Sequence, residues 1–266
     1  MYNIIKERLF MNNYYAEKFE VDYGKVDILT EIRVDHILEL FQSVAIKHCK
    51  ELGMGYYELN EKDNAFWVLS KIKVELCENL PRWGDVINVA TYPNEPKFVK
   101  FLRNYYIETA SGQRPVRAVA DWCVLERGTN KIKRASDLLC YPSSLMHASE
   151  VVIEPNYFKF NESLAESAKT VMSKKVMLSD LDSNLHMNNV NYARLVLDAI
   201  KPAEYLKKYI AELELQYVSQ VYAGDVILVK RVKLKDEIII FGKVKGAEKF
   251  AFKARVKLAK RKKMCA

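Results

Sequence analysis

The tetrapeptide GDVI occurs twice, at 84–87 and at 224–227, and each time it opens an apolar run. Alone, a four-residue match is weak. The order of elements around it repeats as well. In the first half, apolar spacing predicts a strand over 19–28, a helix over 34–52, and strands over 65–76, 84–92, 98–109 and 116–127. The helix places Ile37, Leu38, Phe41, Val44, Ala45, Cys49 and Leu52 at three- and four-residue steps. Asp35 suits its N-cap, and Gly53 suits the position just past its end. In the second half the spacing predicts a strand over 169–178, a helix over 189–200 that stops before Pro202, and a further helical turn within 203–210. Strands then follow over 213–222, 224–234, 237–245 and 248–258. A strand–helix–four-strand unit used twice constrains the fold more than any other feature of the chain.

Such a unit has one long apolar helix and one sheet. An antiparallel sheet that curls around the helix buries the apolar stripe. The expected class is therefore α+β, a tandem (double) hotdog with a central helix in each half. The expected boundaries are 1–135 for the first hotdog, 136–168 for a connector, 169–260 for the second hotdog and 261–266 for a basic tail. The connector contains Pro142, Ser143, Ser144 and Pro155. Each half would leave a sheet edge open, and joining the two edges would remove it.

Composition excludes several classes. The chain has 266 residues, half of them hydrophobic and 11% aromatic, which argues against global disorder. No apolar run approaches the ~18 residues of a membrane span. The start, MYNIIKERLF, has no apolar core of a signal peptide, so a cytoplasmic location is expected. The five cysteines are scattered with no CxxC pair, which suits free thiols in a reducing compartment. Seven Lys or Arg and no acid fall in 251–266, against a net charge of +8 for the whole chain. Such a tail is either a grip for an acidic partner or a solvated, frayed terminus. No nucleic-acid motif accompanies it, so no nucleic-acid partner is expected.

The chemistry concentrates in SDLDSNLHMNNVNYARL, residues 179–195. If 182–186 is extended, Asp182, Asn184 and His186 share one face. The segment runs into a helix start near Asn188 or Asn189, where backbone N–H groups and the helix dipole lie open. Acyl hydrolysis needs this kind of set: a base for water, a group to hold it, and donors for the oxyanion. A calcium loop fits poorly, because Leu185 stands where that loop needs Gly and Asn191 where it needs Glu. A zinc site lacks a second His or Cys at ligand spacing. A plain polar loop with a helix cap remains an equal reading of these residues.

The stretch DLDSNLHMNNVNY (180–192) resembles the DxNxHxNNxxY signature of the acyl-acyl carrier protein thioesterases, a tandem-hotdog family. LPRWGDVINVATYP (80–93), RNYYIETASGQ (103–113) and the segment 19–48 are similar to further parts of that family. The likeness runs from about residue 5 to 258. It implies hydrolysis of fatty acyl thioesters on acyl carrier protein, an acidic partner, with no cofactor and no metal. Asp182, Asn184 and His186 fall on the catalytic positions. The resemblance puts a Glu in a Y-x-x-E pattern; this chain reads YVSQ, with Gln220 there and Val221 where some members carry Cys. A thiol mechanism is therefore not expected. An amide cannot take a proton at neutral pH, which leaves Asp182 and His186 as candidate bases; Asp182 is the expected general base, with direct nucleophilic attack by it as the alternative. Asn184 would orient water or the carbonyl, His186 would fix the network, and the helix start at Asn188 and Asn189 would receive the oxyanion. On the family's analogy, Glu restored at 220 would be tolerated. The family also implies an acyl tunnel in the first hotdog, with Phe41, Val44, Ala45 and Trp67 as candidate lining. Alternatives are an acyl-CoA thioesterase and a non-catalytic acyl-binding hotdog, with a homodimer as a candidate assembly.

Overall fold

The computed structural model describes residues 13–262. Most of the basic tail and Cys265 lie outside the described residues. In the first half β1 (Tyr15–Glu20) precedes the long helix α1 (Val34–Glu51), a short helix α2 (Tyr56–Asp63), and strands β2 (Ala65–Leu76), β3 (Val86–Pro93), β4 (Phe101–Thr109) and β5 (Val116–Glu126). A two-residue strand, β6 (Ile132–Lys133), pairs with β5. The second half has a short helix α3 (Leu164–Ser167), then β7 (Lys169–Lys175), α4 (Asn189–Asp198), α5 (Pro202–Tyr205), β8 (Lys208–Tyr217), β9 (Val226–Leu234), β10 (Glu237–Val244) and β11 (Phe250–Lys260).

The strand order demonstrates the duplication. It reads β1-β3-β4-β5-β2 in the first half and, from its far end, β7-β9-β10-β11-β8 in the second. Each half uses its own first, third, fourth, fifth and second strand in that order. All these pairings are antiparallel where the register is given, including β2 with β8 from Lys71↔Gln216 to Glu75↔Glu212. This is the α+β tandem hotdog. Two compact units form, and they do not follow a single cut. One runs up to Ile32 and adds Glu39–Ser70 and Pro81–Pro155. The other takes Arg33–Leu38, Lys71–Leu80 and everything from Asn156 onward.

In the first unit the helix lies on the sheet face. Phe41, Val44 and Ala45 are buried, and the Phe41 ring stacks 4.9 Å from Tyr105 of β4. Ile46 and Lys47, on the opposite side of α1, face outward, as an amphipathic helix requires. In the second unit, Tyr192 of α4 meets Tyr217 of β8 at 5.4 Å and Phe252 of β11 at 5.5 Å, edge to face in both pairs. Phe252 is fully buried, worth about 1.5–3 kcal/mol on transfer from water. Its ring lies over Gly242 of β10, where a Cβ would sit 2.0 Å from a ring carbon. Only glycine fits there. In the connector, Val152 N–H donates to Asn104 Oδ1 in the first unit, and Phe158 N–H donates to Glu214 Oε2 in the second.

Three expected elements need correction, and one helix, α2, was not expected. The first strand stops at Glu20, because Val21 leaves the ladder to pair with Asp85 O and Gly84 N–H, and a 3₁₀ turn over Tyr23–Lys25 follows. Helix α2 has no apolar stripe, so periodicity gave no sign of it. The helical turn expected within 203–210 ends at Tyr205, and strand pairing resumes at Lys208. The strand expected over 213–222 runs from Lys208 to Tyr217, so Gln220 stands in the irregular segment that follows it.

Candidate active site

The segment 182–186 is a closed turn, not an extended run. Asp182 N–H donates to His186 O at 2.8 Å, and Leu185 N–H to Asp182 O at 3.1 Å. Leu185 takes a left-handed conformation at φ 61°, uncommon for a residue with a side chain. The Asp182 carboxylate fills the turn: Oδ1 accepts from Asn184 N–H at 2.8 Å and from His186 N–H at 3.3 Å. This is the local side-chain-to-backbone bonding at which Asp excels. The other oxygen, Oδ2, has no hydrogen bond among the described residues and remains available to a water. Asp182 thus builds the loop and presents one carboxylate oxygen.

The loop is tied to its surroundings at both ends. Leu181 bridges Met187 across it. Asp180 pairs with Lys174 at 2.9 Å and accepts Met177 N–H at 2.8 Å, so it is structural. The Asp180 carbonyl accepts Asn188 N–H at 2.8 Å and Asn191 Nδ2 at 2.9 Å. Arg194 donates to Asn191 Oδ1 at 2.9 Å and to the buried Asp35 at 3.0 Å, and Arg33 also grips Asp35. Burial alone would raise the Asp35 carboxyl, but the hydrogen bonds from Arg33 and Arg194 outweigh it and hold Asp35 below the usual carboxylate range.

Asn188 is the N-cap of α4. Its Oδ1 accepts Val190 N–H at 3.0 Å and its carbonyl accepts Asn191 N–H at 3.0 Å. Of the first-turn donors, the Asn189 N–H has no acceptor among the described residues. The expected anion-receiving helix start is therefore narrowed to Asn189. The Tyr192 phenol of α4 is pushed well up by burial, with the charges of Asp182 and Asp225 adding to it.

Met187 N–H donates to Val221 O at 2.9 Å, which brings the segment 220–222 beside the loop. Here sequence reasoning missed a residue. Tyr222 Oη donates to Gln220 Oε1 at 3.0 Å, and the Tyr222 ring stands edge-on to the His186 imidazole, centroids 5.1 Å apart. Its one signal in the sequence was its place two residues past Gln220. The expected lining residues Phe41, Val44, Ala45 and Trp67 all belong to the first unit. Phe41, Val44 and Ala45 are buried. Trp67 donates from Nε1 to Met54 O at 3.0 Å and packs edge-on to Phe101.

The same loop occurs in the first half. Asp27 N–H donates to Glu31 O at 2.8 Å, and Thr30 N–H to Asp27 O at 3.1 Å. Asp27 Oδ1 accepts from Leu29 N–H at 2.8 Å and from Glu31 N–H at 3.0 Å, and Thr30 has φ 62°. Val26 bridges Ile32, and Ile32 N–H donates to Pro81 O.

Comparison with known proteins agrees with this architecture. The family model for the N-terminal domain of acyl-ACP thioesterases matches residues 12–142, and that for the C-terminal domain matches 163–259. An acyl-[acyl-carrier-protein] hydrolase of Cuphea viscosissima is 23% identical over 212 residues, which are 76% of this chain and 51% of the relative. Oleoyl-acyl carrier protein thioesterase 2 of Arabidopsis thaliana is 25% identical over 228 residues, 80% of this chain and 61% of the relative. The chain thus spans between half and three-fifths of the length of these curated relatives. Among solved structures, an acyl-ACP thioesterase from Bacteroides thetaiotaomicron shares the fold with a TM-score of 0.80 at 23% identity, covering 93% of this chain and 98% of that one. The 12:0-ACP thioesterase of Umbellularia californica gives a TM-score of 0.78 at 15% identity, covering 96% and 97%. With both domain models matched in order along most of its length, the chain belongs to the acyl-ACP thioesterase family.

Proposed function

We propose that this chain hydrolyses fatty acyl thioesters carried on acyl carrier protein and releases the free fatty acid. One juxtaposition carries the reading. The loop that holds Asp182, Asn184 and His186 ends at a helix start, and the Met187–Val221 bond sets Gln220 and Tyr222 next to it. The first-half loop makes the same backbone contact, from Ile32 to Pro81, but carries Leu29, Glu31, Leu80 and Arg82 at these places, so the reading rests on which side chains meet and not on the contact itself.

In the proposed reaction, Asp182 Oδ2 takes a proton from water, and the hydroxide attacks the thioester carbonyl carbon. Asn184 orients the water. The carbonyl oxygen becomes an oxyanion, and the Asn189 N–H at the α4 start is a donor for it. Collapse of the tetrahedral intermediate breaks the C–S bond and expels the thiolate, which takes its proton from the protonated Asp182 or from His186. The products are a carboxylic acid and the carrier thiol. Phe41, Val44, Ala45 and Trp67 are the proposed contacts of the acyl chain.

The test is turnover on a ladder of acyl-carrier-protein and acyl-CoA thioesters. Carrier-protein thioesters are expected to react faster, with the advantage fading at high salt, because attraction between a chain of net charge +8 and an acidic partner is screened over about 8 Å at physiological ionic strength. Equal rates on both donors, indifferent to salt, contradict a carrier-protein partner. No turnover by a folded protein that still binds fatty acid would make it a binding module instead.

A further inference from the structure

We infer that Tyr222 is a positioning residue: it turns the Gln220 carboxamide so that its NH₂ group, rather than its carbonyl, serves the thioester. This rests on the thioester-hydrolase reading above. A carboxamide has one acceptor oxygen and two N–H donors on a separate atom. The Tyr222 hydroxyl donates to that oxygen at 3.0 Å. With one lone pair of the oxygen engaged by Tyr222, the carbonyl is turned to the Tyr222 side and the NH₂ to the other side of the amide, where it presents its two hydrogens.

Tyr222 is held where it can do this. Its own N–H donates to Asp225 Oδ2 at 2.9 Å. Its neighbour Val221 is fully buried and accepts Met187 N–H. The same phenol ring stands against His186 at 5.1 Å, so one side chain braces two of the site residues. A phenol that donates to an amide oxygen also polarises the amide and strengthens its N–H groups as donors. Donors aimed at the developing oxyanion are the largest single aid to acyl transfer. Gln220 would thus join the Asn189 N–H in receiving that charge, and the role of base stays with the Asp182 loop.

The first half supplies an internal control. The segment Pro81–Asp85 has the same backbone bonds as Val221–Asp225: Arg82 N–H donates to Asp85 Oδ2 at 2.8 Å, and Ile32 N–H donates to Pro81 O. The residues at the places of Gln220 and Tyr222 are Leu80 and Arg82, which cannot form this pair. The backbone turn therefore does not require the Tyr–Gln contact.

The experiment compares Tyr222→Phe, Gln220→Ala, the double variant and Gln220→Glu with the parent, using a saturable acyl-carrier-protein thioester and checking each fold by thermal melting. Tyr222→Phe is expected to lose roughly tenfold in kcat with KM changed less than about twofold, the scale of one hydrogen bond. Gln220→Ala should lose on the order of 10²-fold, as for an oxyanion donor. The double variant should be no worse than Gln220→Ala, because the two residues act as one unit. At pH 8, far above the ordinary carboxyl value of about 4, Gln220→Glu can only accept, so it should fall as far as Gln220→Ala, against the tolerance that the family's Glu suggests. Parental kcat in Tyr222→Phe, multiplicative losses in the double variant, or parental turnover in Gln220→Glu each overturn the inference while leaving the thioesterase reading intact. A folded parent that hydrolyses no acyl thioester overturns both.

Discussion

The loops at Asp27 and Asp182 have one skeleton and two sets of side chains. Each follows a 3₁₀ turn, Tyr23–Lys25 in one case and Leu178–Asp180 in the other. Each closes through an Asp Oδ1 on two backbone N–H groups, has one left-handed residue with a side chain, and runs into the long helix of its half. Each is flanked by a tight Gly-Asp turn, where Gly84 N–H donates to Val21 O and Gly224 N–H to Val176 O. The differences sit where chemistry would. Asn184 and His186 stand where the first loop has Leu29 and Glu31, and Gln220 and Tyr222 stand where it has Leu80 and Arg82. The lesson is that the aspartate is first a builder. Its repeated bonds would be present with or without catalysis, so function is to be read from the second carboxylate oxygen of Asp182 and from the residues that differ.

The comparison can be broken most severely by converting the second loop into the first. Asn184→Leu with His186→Glu is expected to keep the fold, since the first loop tolerates both residues, and to lose on the order of 10²–10⁴ in kcat. Turnover within tenfold of the parent would show that neither side chain works in the site.

Next in size is a paired stability change. Gly84 at φ 84° and Gly224 at φ 90° both need a conformation that costs an L-residue about 1–2 kcal/mol. Open space surrounds the Cβ position of each. Gly84→Ala and Gly224→Ala should therefore destabilise the protein by similar amounts in denaturant titrations. A cost at only one of them would end the equivalence of the two turns.

A smaller effect sharpens the one place where the first helix is the more elaborate. Asp35 stands at the start of α1, where α4 has Val190. Because its folded carboxyl is depressed relative to the unfolded value of about 3.9, its contribution to stability is present above that value and is lost as pH falls through the folded one. Asp35→Asn should lower stability at neutral pH and flatten the acid limb of the stability curve below about pH 4. An unchanged acid limb would contradict the Arg33–Asp35–Arg194 account.

Least of all should follow from removing thiols. Burial pushes Cys123 up to about 11 and Cys140 up to about 12, so neither is a thiolate at neutral pH. A folded Cys-free variant should keep turnover within about twofold, since no cysteine lies in the loop 182–186 or in the segment 220–222 beside it.

Much of this was legible in the chain. Apolar spacing over 34–52 predicted a helix found at Val34–Glu51, and GDVI marked two turns that really are equivalent. The motif residues Asp182, Asn184 and His186 do share one loop. What stayed hidden depends on tertiary bonds. The inward face of Asp182 follows from the left-handed backbone at Leu185, which a leucine does not advertise. Tyr222 gains its place from the bond between Met187 and Val221, residues far apart in sequence. Gln220 lies outside its expected strand because β8 ends at Tyr217, where the N–H groups of Val218 and Ser219 both turn to Ala251 O.

The most direct test of the central claim is the turnover of Asp182→Asn beside Asp27→Asn on one acyl-carrier-protein thioester. Asn keeps the Oδ1 acceptor that builds each loop and removes only the basic carboxylate. Asp182→Asn is predicted to keep its melting temperature and lose on the order of 10²–10⁴ in kcat, while Asp27→Asn keeps both. Parental turnover in Asp182→Asn, or equal losses in the two variants, would contradict the account.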